Sequence, residues 1–255
     1  MATIEELETL RWDLRRDCVD IIMAGKGGHI GGDMSVIDAL MVLYARHLNI
    51  APDRVDDPDR DRFVLSKGHA MEAYYAVLCH EGYLDLDDVK ARFSQFGSPY
   101  IGHPNNKLPG IEMNSGSLGH GLPVAVGMAL AARMDKRPTR VYTIMGDGEL
   151  VDRNRLQISG CTEDVMKQDS QEERWASFGW NVLSIPGNDV AAIDEALGLA
   201  SRTKGKPTVI ILNTVKGCGS PIMEDKAGWH HHLPNAEEYA QIIADFAARK
   251  EARHA

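Results

Sequence analysis

A chain of 255 residues, 44% hydrophobic and 25% charged, has ordinary globular composition with room for one large domain or two small ones, which excludes wholesale disorder and fibrous classes. Its 37 acidic against 28 basic residues leave a net charge of −9, so nucleic-acid backbones and anionic lipid are repelled, and neither is expected as a partner. Four scattered cysteines (Cys18, Cys79, Cys161, Cys218) lack a C-x-x-C pair, and the start MATIEELETLRWDLRRD has no apolar core; reduced thiols and a cytoplasmic location are expected.

Ile4, Leu7, Leu14, Cys18 and Ile21/Ile22 recur at helical spacing and predict a first helix over 4–24. The run GKGGHIGGDMS (25–35) is too glycine-rich to continue it and predicts a loop, with Ser35 and Asp38 capping the next helix. VIDALMVLYARHL is apolar nearly all round, which places it deep in a core or at a subunit interface. APDRVDDPDRDR (51–62) reads as a solvated connector. FVLS (63–66) is a short buried strand, followed by KGHA and a helix over 70–81. Residues 94–118 form a long irregular loop, a length that is usually functional or disordered. LGHGLPVAVGMALAARMD predicts a helix packed closely on a neighbour, and the strand RVYTIM ends at GDGEL. The stretch 113–132, although uncharged, is too broken by glycine, Pro123 and His120 to span a membrane. A strand at 181–186, a helix over 189–202, a strand at 207–215 and a C-terminal helix from Ala236 complete the chain. Strands alternating with helices predict an α/β fold, a parallel sheet with helices on both faces, in a single domain 1–255.

In an open parallel sheet, ligands bind at the carboxyl ends of strands, where SKGHA and GDGEL both fall. Asp147 stands between Gly146 and Gly148 and projects a hard oxygen, which suits Mg²⁺ and a diphosphate. Alone, an Asp between glycines is more often just a turn. Asn154 offers a second side-chain oxygen and Leu156 a carbonyl, although Asn154 alone also reads as a turn residue. His29, His69, His103 and His120 each adjoin a glycine, and His230, His231 and His232 form a run. Several histidines in glycine-rich loops fit a site that handles hydroxyls, phosphates and protons near neutral pH. Zinc is disfavoured, since no pair has H-E-x-x-H or C-x-x-C spacing.

Together these residues resemble the N-terminal, thiamine-diphosphate-binding half of transketolase. The likeness runs from the first helix to about residue 234. It rests on G-H-I-G-G (28–32), D-R-F-V-L-S-K-G-H-A (61–70), G-H-P (102–104), S-G-S-L-G-H-G (115–121), G-D-G with Asn154, and K-G-C-G-S (216–220) with Trp229-His230. The resemblance implies that Asp147, Asn154 and the Leu156 carbonyl hold Mg²⁺, with Gly148 and Asn154 touching the diphosphate of thiamine diphosphate. Gly116, Ser117 and Leu118 would line the cofactor rings. His69 and His230 would contact the diphosphate and act near the reacting centre. His29 and His103 would bind the hydroxyls of the sugar donor, in transfer of a two-carbon ketol unit from a ketose phosphate to an aldose phosphate. The pyrimidine-binding domain of the full-length enzymes is absent here. The likeness is therefore to the first subunit of a split transketolase. That implies a partner, the C-terminal transketolase subunit, in a heterotetramer.

One departure lies inside the motif. The family separates GDG from its Asn by roughly 25–30 residues, a helix and a strand. Here only Glu149-Leu150-Val151-Asp152-Arg153 intervene, too few for a βαβ crossover. An apparent internal deletion therefore falls near 149–152, whether the crossover is truly lost or a native chain carries further residues there. Two alternatives follow: a non-catalytic interaction paralogue with a broken cofactor motif, or a split transketolase acting on an unusual sugar.

Overall fold

The computed structural model describes residues 1–146, 149, 152–157, 159–165, 167 and 169–252. Helix α1 (Ile4–Gly25) opens on a reciprocal cap, in which Glu6 N donates to Thr3 Oγ1 at 3.2 Å and Thr3 N to Glu6 Oε2 at 2.7 Å. It stops where Lys26 turns left-handed, φ 55°. Then follow α2 (Ile30–Val42), a π-helical turn at Leu43–His47, β1 (Arg62–Leu65), α3 (Met71–His80), α4 (Leu86–Arg92), α5 (Gly121–Met134) and β2 (Val141–Ile144). A small antiparallel hairpin, β3 (Leu156–Gln157) and β4 (Gly160–Cys161), leads into α6 (Thr162–Val165) and α7 (Gln171–Ser177). The chain closes with β5 (Asn181–Pro186), α8 (Val190–Arg202), β6 (Thr208–Asn213) and α9 (Ala236–Glu251).

Every residue of α2 is buried, as its all-round apolar sequence predicts, and α1 and α3 pack against it. Its start differs from expectation. The helix begins at Ile30, so Gly31 and Gly32 lie inside it, and Ser35 and Asp38 are interior residues rather than caps. The glycines serve close packing: a Cβ on Gly31 would stand 2.8 Å from the Trp229 carbonyl. Asp38 instead accepts from Arg15 Nη1 and Nη2, each at 2.7 Å, and from Arg11 Nε at 3.0 Å. Burial raises the Asp38 pKa, but the two guanidiniums overcome that and hold it well below the usual carboxylate range.

β1 and β2 pair in parallel, Arg62 opposite Val141 through Leu65 opposite Ile144. β5 and β6 pair in parallel from Asn181 opposite Thr208 to Pro186 opposite Asn213. Asp152 links the two pairs, bridging in parallel to Gly146 on one side and Leu212 on the other. Helix α5 departs from the expected close packing. Only Gly121, Ala125 and Ala132 are buried among its described residues, while Val126, Leu130 and Met134 are 44%, 53% and 81% exposed. A cavity of about 590 Å³ lies between α5, β2, β6 and α8. Both features lie beside the short stretch between Gly146 and Asp152, where the sequence departs from the expected crossover length.

Candidate active site

The site forms at the carboxyl end of β1, where the strand stops and the backbone turns. Ser66 N and Lys67 N both donate to Ile144 O, at 2.9 and 3.2 Å, and Gly68 N donates to Ser66 O at 2.8 Å. Gly68 lets a second loop cross at contact distance, since a Cβ there would lie 2.6 Å from Ser115 Oγ and 3.0 Å from Gly116 N. Ser115 Oγ donates to Leu65 O at 2.7 Å and pins that loop to the strand. Gly116 has φ 146° and packs on the His103 ring.

Four separate segments bring the predicted histidines together around His29. Its ring centroid lies 5.4 Å from His69, 5.8 Å from His103, 5.7 Å from His230 and 4.1 Å from His231. His231 is an addition the sequence does not single out of its run of three. One ligand nitrogen each from His29, His230 and His231 lies within 4.8 Å of the others, a grouping that sequence spacing hides. Burial, reinforced by the neighbouring imidazoles and Lys67, lowers His29 to about 3. Burial and then Lys67 lower His69 to about 2, and burial and then Lys216 lower His230 to about 4. His103 moves the same way, again chiefly through burial. These imidazoles are thus neutral at pH 7, able both to donate and to accept, rather than poised to titrate there.

Beneath the rings runs a buried ionic network that sequence reasoning misses. Lys67 Nζ donates to Gly32 O at 3.0 Å and to an oxygen of Asp152, which is fully buried. Asp152 also accepts from Ser35 Oγ at 2.8 Å and from the Thr214 hydroxyl. These partners are 62 to 117 residues away in sequence, so no local pattern announces them. Asp33 and Glu72 are likewise fully buried; burial raises Asp33 to about 7 and, with Asp33 as neighbour, raises Glu72 well above its ordinary value. Glu149 ties the ends of β1 and β2 to the loop before α5, accepting from Ser66 Oγ, Gly119 N and, at 3.0 Å, Gly146 N.

Asn154 Oδ1 accepts from Leu156 N at 3.0 Å, and the Leu156 carbonyl accepts from Lys216 Nζ at 2.9 Å. The same ammonium is 3.1 Å from His230 Nδ1. A lysine has no acceptor, so Nδ1 must accept, and the ring proton of neutral His230 resides on Nε2. Asn154 and Leu156 thus connect through Lys216 to the histidine cluster. Ser117 and Leu118 lie at the open surface of their turn, Leu118 57% exposed. Asp147 and Gly148 lie outside the described residues.

The α/β fold and the histidine-lined chamber agree with the family model that the chain matches, a thiamine diphosphate binding domain. The transketolase thiamine diphosphate binding domain matches residues 10–151 and 144–251, and the chain belongs to the transketolase family. It is 41% identical to an apulose-4-phosphate transketolase subunit of Phocaeicola vulgatus, covering 97% of this chain and 96% of that protein. It is 36% identical to 6-deoxy-6-sulfo-D-fructose transketolase subunit SqwG of a Clostridium species, covering 86% and 88%. The transketolase structure from Campylobacter jejuni superposes with a TM-score of 0.89 at 27% identity; the match covers 99% of this chain but 46% of that one. The chain matches nearly the full length of these relatives, which are named as transketolase subunits, and less than half of the Campylobacter transketolase chain. Among the described residues, no helix is long and apolar enough to cross a membrane.

The alignment with the Phocaeicola protein runs over 271 positions, more than the 255 residues present here. The two family matches meet within 144–151. The overlap of the two family matches falls at the same stretch where the sequence departs from the expected spacing.

Proposed function

We propose that this chain is the catalytic, cofactor-binding subunit of a two-chain transketolase that uses thiamine diphosphate and Mg²⁺ on phosphorylated sugars. The observation that carries the reading is the convergence of His29, His69, His103 and His230, from four distant segments, on one chamber of neutral imidazoles. The donor set fits the cofactor. Lys67 and Lys216 bring positive charge beside the rings, as a diphosphate needs, and His29 Nδ1 is buried without a hydrogen-bond partner among the described residues. The Leu156 carbonyl already faces a cation, in keeping with a share in Mg²⁺ binding alongside Asp147 and Asn154.

When bound, thiamine diphosphate supplies a carbon nucleophile and an electron sink. The chain's own residues position and exchange protons. His29 and His103 hydrogen-bond hydroxyls of the ketose donor. His69 and His230 would contact the diphosphate and act near the reacting centre, with His230 offering the proton on Nε2 while Lys216 holds Nδ1. Gly116, Ser117 and Leu118 would line the cofactor rings, and Gly148 and Asn154 would hold the diphosphate. The open position of Leu118 suits a wall completed by the partner, the C-terminal subunit with the pyrimidine-binding domain, in a heterotetramer. Relatives named for apulose 4-phosphate and sulfofructose favour a branched or sulfonated ketose as donor.

A second reading, a non-catalytic interaction paralogue, is favoured by the shortened crossover. Calorimetric titration of thiamine diphosphate, with and without Mg²⁺, separates the two when run on this chain mixed with its C-terminal subunit. Mg²⁺-dependent binding that Asp147→Ala abolishes is the expected result. Absence of binding in the mixture establishes the paralogue reading instead.

A further inference from the structure

Behind the histidine chamber, α2 and α3 each bury a carboxyl in their first turn. Asp33 and Glu72 are both 0% exposed and are hydrogen-bonding neighbours. Asp33 Oδ1 accepts from Ala73 N at 3.0 Å and so caps α3 from outside, since Ala70 before that helix makes no side-chain cap. The three remaining oxygens, Asp33 Oδ2 and both of Glu72, are buried and meet no donor in hydrogen-bond geometry among the described residues. Lys67 acts on Asp33 through its charge, but its ammonium donates to Gly32 O and Asp152 instead. Two bare carboxylates are costly in so dry a place, whereas an acid and a carboxylate satisfy each other through one O–H. Glu72 also reaches the chamber. A Cβ on Gly28 would stand 3.0 Å from its Oε1, and one on Gly102 3.6 Å from the same atom. Those glycines immediately precede His29 and His103. The His29 carbonyl in turn accepts from Gly32 N and Asp33 N, at 2.9 and 3.1 Å. One oxygen of Glu72 thus lies against both Gly-His loops, and its partner Asp33 sits in the helix turn that His29 begins.

We infer that Asp33 and Glu72 share a single proton, carried by Glu72 and offered to Asp33 Oδ2, and that this acid–carboxylate pair is the positioning device that sets His29 and His103 in the chamber. The two environments decide which group carries the proton. Burial raises both, but the Ala73 amide and Lys67 favour a charged Asp33, whereas the Asp33 charge pushes Glu72 further toward the neutral acid. An O–H donated to a carboxylate is among the stronger hydrogen bonds, so the pair ties the start of α2 firmly to the start of α3. The donor-hydroxyl role of the two histidines rests on the function proposed above, but the pair and its hold on the two loops do not.

Two spectroscopic readouts on the full chain test the inference without cofactor or turnover, so a failure of the proposed activity leaves them legible. Infrared difference spectroscopy at pH 7 tests the proton. The parent should show the carbonyl-stretch band of a buried carboxylic acid, and Glu72→Gln should lose it. Nitrogen NMR of labelled histidines tests the positioning. Glu72→Met keeps the length of the side chain and removes no charge from a neutral Glu72, but it cannot donate to Asp33. It should shift or split the ring signals of His29 and His103, while His47, paired with Asp194, keeps its own. Glu72→Gln, whose amide can still donate to Asp33, should restore the parent signals. Absence of the acid band from the parent, or its persistence in Glu72→Gln, overturns the shared proton. Unmoved His29 and His103 signals in Glu72→Met overturn the positioning role. Should Glu72→Met fail to fold, Glu72→Gln decides alone, with parent-like His29 and His103 signals expected and displaced ones overturning the inference.

Discussion

Lys67→Met tests the buried network beneath the histidines. Lys67 is 1% exposed and Asp152 fully buried, so the substitution strands a carboxylate out of reach of water. Breaking a buried pair from one side costs about 3–5 kcal/mol. The hydroxyls of Ser35 and Thr214 still donate to Asp152, which places the expected loss near the low end, about 3 kcal/mol. With a urea slope of about 2–3 kcal/mol per molar, the unfolding midpoint should fall by roughly 1 M. The double variant Lys67→Met/Asp152→Asn removes the stranded charge and should be more stable than Lys67→Met alone, with a coupling of about 1–3 kcal/mol. Urea titrations followed by tryptophan fluorescence measure all four corners of the cycle. A loss under about 1 kcal/mol for Lys67→Met, or strict additivity in the double variant, would refute the network's role in holding the site together.

Gly68→Ala should displace the loop at Ser115–Gly116 and cost about 1–3 kcal/mol through overpacking, seen as a lower melting temperature and faster exchange in 115–119. His69, held at about 2 when folded against about 6.5 when unfolded, binds more protons in the unfolded chain below pH 6.5. Stability is thus present above that pH and lost as pH falls. Between pH 7 and 5 the His69→Asn variant should lose about 2 kcal/mol less than the parent, the opposite contributions of Asp33 and Glu72 being common to both chains. Identical slopes would refute the burial of a neutral His69. Lys216→Met should release the His230 tautomer, so that nitrogen NMR changes from Nε2–H alone to a mixture; an unchanged spectrum would show that another contact fixes it.

The fold is largely legible in the sequence because its elements carry strong local signals. The α1 periodicity, the all-apolar α2 and the β-branched run of β6 each declare themselves over a few residues. The start of α2 escapes such a reading because Gly31 and Gly32 resemble loop residues until the chain they pack against is known, and that chain is Trp229, nearly 200 residues on. Helix α5 reads as covered because its sequence still carries the small apolar residues of a packed face. The histidines can be singled out by their glycine neighbours, but their convergence cannot be derived from spacing. Lys67 stands in a conspicuous motif, yet its partner Asp152 reads only as a residue on the way to Asn154. Pairs that distant leave no period to detect.

The two arginines on the buried face of α1 also govern when the protein can fold. Arg15 Nε donates to the Cys218 carbonyl at 3.1 Å and Arg11 Nη2 to the Asn188 carbonyl at 2.9 Å, across 203 and 177 residues of chain. A nascent polypeptide leaving the ribosome at about 5–20 residues per second therefore exposes α1 and α2 for many seconds before these partners emerge. During synthesis the guanidiniums and the apolar faces of the first helices wait for the C-terminal third. Loop closure over such separations is slow, and the waiting segment is a natural client for chaperones.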